Sequence, residues 1–600
     1  MRRSLCITLR TILILVVVFS FLAGANKPVQ AETCTWEGDG STDWTLAGNW
    51  TCGRVPGAGD DVVIPVVATN YPVIYSNFEV PSPLVSSLTI EPGAFLTINE
   101  GMALDATTMT INGTLVANAA SSPISINVFT PTGVVNVGSD GAITKQGADY
   151  LFIYSAFNNA GTVSGTSLET YTGGVSLIRG GTHTGIFQGE YLFVGNNDYA
   201  SGQSFNFNSG SEIRANQLHV KGGTVNLYGT YSQPENTGTA LIVQPTSGTS
   251  VVYFKTGVGI LKMPENFSIA YGGKLILESQ AYNYNMNKLS LDYNGELQNL
   301  GNLNIATQFL WRAGKLTGNG TTTVETAATF TMGMSVYTQN DFSLDYQTLI
   351  NNSTANWNKR DLTFANSATF VNNGTFNANA TTTMIGGETE FFTNNGSFIK
   401  NGTGTITTMD IPFTNNGTVD VVAGSLVFAQ GMDNGDDAVI DLGGGTLDPG
   451  DTLNLEAGDS LIGSGTLSAN LVNAGTVSPG NSAGIITVDG DYTQAVDGIL
   501  EIELGGTEAG TDYDQLVVTG AATLQGTLNV TLLPGFTPQA GDTFFSVDHI
   551  TSGTGNFSVE NLPDLPGGLT IEIDYSDEGV TLTVLRTGTD TFIFLPMIVR

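Results

Sequence analysis

Four turns recur through the middle of the chain at a nearly fixed interval. They are Asn351-Asn352-Ser353, Asn372-Asn373-Gly374, Asn394-Asn395-Gly396 and Asn415-Asn416-Gly417, and their third residues step by 21, 22 and 21. Looser copies fall at Gly301 and Gly320, then at Gly445, Gly465 and Gly475. Between the turns, short runs of Val, Ile, Leu, Thr and Phe alternate with polar residues, as in MTINGTLVANA from Met109 and FTNNGTVDVVAG from Phe413. Such alternation, broken by Asn and Gly, is the pattern of short strands joined by tight turns. A period near 21 residues holds about three short strands and three turns, which is one coil of a parallel β-helix. A β-propeller blade would need about 40–45 residues, and helical repeats have spacings that are missing. The expected fold is therefore all-β: a right-handed parallel β-helix (β-solenoid) with an N-terminal Trp-rich cap and a C-terminal β cap.

No coil of this kind can bury its apolar side chains alone, so stacked neighbours must share one core. Asn at equivalent turns can then hydrogen-bond along the stack, as amide ladders do in cross-β assemblies. Gly, at 75 residues, is expected where turns require positive φ. The organisation predicted is a signal peptide over 1–31, a capping module over 32–75, the β-helix over 76–480, an acidic C-terminal β region over 481–585 and a tail over 586–600. The leader rests on Arg2, Arg3 and Arg10, an apolar run from Thr11 to Leu22, and Val29-Gln30-Ala31 as a small-x-small cleavage site. The run is short for a membrane span, so no integral membrane segment is expected in the mature chain.

Charge excludes some partners. The formal net charge is −34, and no Lys or Arg lies between Lys400 and Arg586, where 26 Asp and Glu occur. Nucleic acid and anionic lipid reward clustered cations and are not expected partners. Extracellular glycans or other cell-surface proteins remain. The acidic stretch reads first as a solvated surface. A sharper reading gives Ca²⁺, a hard cation that takes oxygen ligands, a site at Asp433, Asp436, Asp437 and Asp441. Only Cys34 and Cys52 survive cleavage of the leader, and export to an oxidising compartment predicts a disulfide between them.

The segment TCTWEGDGSTDWTLAGNWTCGRVPGAGDDVVIP holds Trp36, Trp44 and Trp50, three of the chain's five tryptophans. It resembles the W-x-G…W…NW…G-x-VP-x-x-x-D-x-V-x-I opening module of secreted bacterial β-solenoid and adhesin-like proteins. The resemblance implies that the three rings pack as a cap on the first coil; stacking on carbohydrate is the functional alternative. From Gly475 onward the sequence resembles the final passenger repeats of autotransporter-type adhesins. The matching positions are Leu500, Glu501, Ile502, Glu503, Tyr513, Asp514, Leu516, Gly520, Leu524, Gly526 and Leu528. In that family the region closes the β-helix and seeds its folding. A translocator barrel needs many strands of about 10 residues, and the residues after Leu585 are too few to supply one. The closing TFIFLPMIVR lacks the pattern of a sortase signal.

Catalytic patterns are sparse. Gly480-Asn481-Ser482-Ala483-Gly484 spells G-x-S-x-G, but the next residues alternate like a strand, whereas a nucleophile elbow leads into a helix. His183, His219 and His549 share no metal-ligand spacing, and His183, in GGTHTG, reads as a turn residue. A β-helix lyase would need a base beside bound Ca²⁺, drawn from Lys145, Arg179, Arg214, Lys221, Lys255, Lys262, Lys274 and Arg312. None of these lies in a recognisable catalytic spacing. The expected function is a secreted or cell-surface, adhesin-like or structural β-helix without catalytic activity and without a cofactor. The alternative is an extracellular polysaccharide-degrading lyase or hydrolase. Residues 145–300 are degenerate as repeats and rich in Tyr and Phe, which makes those coils the first place to seek a functional surface.

Overall fold

A computed structural model describes residues 30–587, apart from 68, 76–83, 128–129, 166–172, 196–201, 233–239, 247, 256–265, 334–341 and 550–551. The expected leader up to residue 29, the last residues of the C-terminal tail and Lys262 lie outside the described residues. Among the described residues the regular structure is β, apart from one 3₁₀ turn at Ala47–Asn49. It divides into two compact units, residues 1–192 and 193–600. Each is a parallel β-solenoid.

In the first unit, Thr33–Thr35 pairs in parallel with Asp61–Ile64, and that strand with Leu84–Ile90. Coils then follow in register: Leu96 lies beside Leu115, Leu115 beside Ile143, Ile143 beside Val163 and Val163 beside Phe187. All five side chains are buried. The alternation in the sequence thus becomes a column of apolar residues, one per coil, which is how short strands with little surface of their own share a core.

The second unit repeats this on three faces. One face runs through Ser250–Phe254, Gly273–Leu277, Glu296–Asn299, Gly314–Thr317 and Phe342–Asp345. A second stacks Thr348–Asn351, Thr369–Asn372, Phe391–Asn394 and Phe413–Asn415. The third stacks Thr354–Trp357, Thr375–Ala378, Ser397–Lys400 and Thr418–Val421. Phe370, Phe392 and Phe413 stack with ring centroids 4.9 and 5.2 Å apart. Phe376 and Phe398 form a second stack at 5.1 Å, set edge-on to the first. Both arrangements are favoured by the ring quadrupoles.

The repeated Asn-Asn-Gly turn is resolved into three distinct roles. The first Asn ends a strand and points inward: Asn351, Asn372, Asn394 and Asn415 are fully buried. Each Nδ2 donates to the next Oδ1, at 2.8, 2.8 and 3.0 Å. The second Asn builds an exposed ladder, Asn352, Asn373, Asn395 and Asn416, with bonds of 2.9, 2.9 and 2.8 Å. The third residue differs from expectation. Gly374, Gly396 and Gly417 are absent from the positive-φ residues; glycine is needed there because a Cβ would collide with the carbonyl oxygen of the coil below, that of Ser353, Gly374 and Gly396 respectively.

Parallel pairing continues past residue 480, as far as Val559–Asn561. Ile485–Val488 pairs with Ser460–Leu467 on one side and with Gln515–Val518 on the other, and Ile499–Leu504 continues onto Thr527–Leu532. Coils here are longer, with bonded partners 28 and 30 residues apart. An antiparallel trio ends the described chain: Thr543–His549 pairs with Gly579–Arg586, which pairs with Leu569–Ser576. Among the described residues no helix is long and apolar enough to cross a membrane.

Candidate functional site

The N-terminal module is built from its tryptophans inward. Trp36, Trp44 and Trp50 are buried, and Trp50 meets the other two edge-on at centroid distances of 4.9 and 4.7 Å. Trp36 Nε1 donates to Asn70 O at 2.7 Å and Trp50 Nε1 to Trp44 O at 2.9 Å. Burial leaves these rings no free face for stacking on a sugar. Gly38 has φ +69, and a Cβ there would strike Asn70 O, which explains the glycine of W-x-G. Buried Asn49 accepts from the N–H groups of Gly40 and Ser41 and donates to Asp43 O. Cys34 and Cys52 are joined by a disulfide. Asp60, the aspartate of the motif, is held by Arg54 through both guanidinium nitrogens and by the N–H groups of Gly57 and Glu32. Those donors hold its carboxyl down to about 2 despite burial.

The four aspartates considered for Ca²⁺ do not share a coordination sphere. Asp433 is exposed on Met432–Asn434, Asp436 and Asp437 occupy the following turn, and Asp441 sits half-buried on Val439–Asp448. Among the described residues no group of three or more His, Cys, Asp or Glu is placed to hold a metal. The register instead sets Asp441 beside Asp420. Burial raises both carboxyls, that of Asp420 further through the charge of Asp441, and a hydrogen bond from Asn481 draws Asp441 back.

Several of the other candidates for chemistry are held in the core or in ion pairs. His183 is not in a turn: it ends the strand Gly181–His183, is fully buried, and packs against Phe157 and Phe187 at 5.8 and 5.1 Å. Burial lowers its pKa to about 3. Burial, then Lys221, lowers His219 to about 4. Lys145 is buried with Nζ on Gly147 O at 2.6 Å. Arg214 pairs with Glu212 at 2.5 Å and Arg312 with Asp292 at 3.6 Å. The G-x-S-x-G segment is a turn between strands. Its Gly484 N–H donates to Asp514 Oδ1 at 2.9 Å, and Asp514 Oδ2 takes the Glu503 N–H at 2.8 Å. Ser482 is exposed and the strand Ile485–Val488 follows at once.

Among the described residues a concave surface lies on the first face of the second unit. Two hollows of about 570 and 490 Å³ share Gln298 and Leu300. The floor is made by outward residues of successive strands: Val251 and Tyr253, Lys274 and Ile276, then Glu296 and Gln298. Beyond them lie Thr317, Asn319 and Asp345, with Tyr346 at the end. Tyr346 is 59% exposed and stands at φ 58 in the turn after Phe342–Asp345. Lys255 lies over the Tyr253 ring at 4.0 Å and bonds Glu278 at 2.5 Å, while Lys274 bonds Glu296 at 2.8 Å. Part of this groove falls in the irregular coils before residue 300. Its Tyr-rich composition was the available signal, but which residues share a face depends on a register that the degenerate repeats do not reveal.

A family described as a domain of unknown function (DUF8693) matches residues 35–239, and no curated protein matches the chain. Among solved structures the chain is similar to the Haemophilus influenzae Hap adhesin. Identity is 15% and the TM-score 0.36, with 84% of this chain and 64% of that one covered. The chain therefore spans less than two thirds of that protein's length. It is also similar to the autotransporter UpaB from E. coli strain CFT073, at 12% identity and a TM-score of 0.16, covering 93% and 99%.

Proposed function

We propose that this chain is a secreted or cell-surface, adhesin-like structural solenoid that holds its outward side chains against an extracellular partner and performs no reaction itself. The observation that carries the reading is how the outward polar groups are used. Asn373 bonds Asn352, Asn377 bonds Asn356, Lys255 bonds Glu278 and Lys274 bonds Glu296, each pair bridging neighbouring coils. Polar groups tied along a stack in this way stiffen a display surface. An active site needs the opposite, a few groups converging on one reacting atom. The disulfide at Cys34 and Cys52 agrees with an oxidising compartment. Extracellular glycans or other cell-surface proteins are the partners this surface suits.

Protease treatment of intact producing cells, with assay of the medium, tests the placement. The expected result is chain in the medium or degraded from the cell surface. Chain found only inside the membrane, protected from protease, contradicts it.

A further inference from the structure

We propose that the groove between Tyr253 and Tyr346 binds a neutral, extended polysaccharide chain laid along the coil stack, one sugar to a coil. The proposal rests on the display reading above and gives that surface a ligand class. Five successive strands contribute to the groove, from Ser250–Phe254 to Phe342–Asp345. Neighbouring strands lie about 4.8 Å apart, close to the length of one pyranose unit in a β-linked chain. Equivalent side chains therefore meet successive sugars in step, and a ribbon-like glycan stays over the face where a coiled one would turn away.

The lining has the two chemistries a sugar ring presents. Tyr253 and Tyr346 offer aromatic surface, and Val251 and Leu300 aliphatic surface, to the C–H faces of the rings. Gln298 and Asp345 offer donors and acceptors for hydroxyls. Charge selects against acidic glycans. Lys255 and Lys274 are each bonded to a carboxylate, Glu278 and Glu296, so neither stands ready to take a second anion. The chain's −34 net charge repels polyanions at longer range. The same paired charges hold Lys255 over Tyr253 and so fix the ring before any ligand arrives, which lowers the ordering cost of binding.

The test is electrophoresis of the full chain through gels containing galactomannan, xyloglucan or mixed-linkage β-glucan, with alginate and polygalacturonate as anionic comparisons. Retardation by at least one neutral polysaccharide is expected, with at least a fivefold loss in Tyr253→Ala and Gln298→Ala. Tyr253→Phe keeps the ring and is expected to keep binding, which separates lost contact from misfolding. For the matching oligosaccharides, affinity is expected to climb from two sugars to about five and then level off. Equal retardation of wild type and Tyr253→Ala, preference for the polyanions, or no retardation by any neutral polysaccharide would each overturn the proposal. If adhesion to cells or proteins persisted in that last case, the display reading would stand and only the groove's ligand would be wrong.

Discussion

Asp60 and Asp514 are both buried carboxylates that accept backbone N–H groups, yet they respond to pH in opposite senses. Asp60 also has Arg54, and its carboxyl falls from 3.8 to about 2. The unfolded state then binds the proton more readily. Its contribution of roughly 2 kcal/mol is present above pH 4 and is lost as pH falls toward 2. Asp514 has no cation among the causes of its shift, and burial lifts its carboxyl to about 7, with Glu503 adding to the rise. Here the native state keeps the proton longer. Stability is expected to decline as pH rises from 4 to 7, by at most about 4 kcal/mol. Thermal melts across pH test both. Asp514→Asn should flatten the slope between pH 4 and 7, and Asp60→Asn should flatten it between 4 and 2; unchanged slopes would contradict these assignments. The motifs in the sequence marked both aspartates as fixed positions. They did not reveal that Asp514 closes a turn 30 residues away, since that contact is made by coil stacking.

At the level of one coil, the Asn-Asn-Gly turn joins three requirements that sequence presents as one. Buried Asn372 donates to Asn394 and accepts from Asn351, so its replacement takes one hydrogen bond from the amide on either side. Asn372→Val is expected to cost about 1–3 kcal/mol, read from denaturant midpoints. Asn373→Ala removes only an exposed rung and should stay within about 0.5 kcal/mol. Gly396→Ala forces a methyl against Gly374 O and is expected to be worse than either, at about 2–4 kcal/mol, because backbone must move. Equal effects at Asn372 and Asn373 would contradict the inward and outward assignment. The period and the ladders were legible in the sequence because each copy repeats the same residues. The reason for the glycine was not: local turn chemistry suggests positive φ, whereas the constraint comes from the coil below.

Across the whole molecule, the sequence made the parallel β architecture legible because alternation and a 21-residue period leave few other solutions. It did not place the groove, whose Tyr253, Lys274, Gln298 and Tyr346 come from coils of unequal length. Nor did it show that the four aspartates from Asp433 to Asp441 fail to converge, because a tight turn and an alternating strand send them in different directions. The groove pairs its Lys255 and Lys274 with carboxylates of the next coil and, as proposed above, holds a ligand without transforming it. The most direct test incubates the full chain with the neutral and acidic polysaccharides above, with and without Ca²⁺, and follows both bound protein and new sugar ends. Polysaccharide that is bound and recovered intact under both conditions is expected. Release of reducing or unsaturated ends by the wild-type chain would contradict the proposed function.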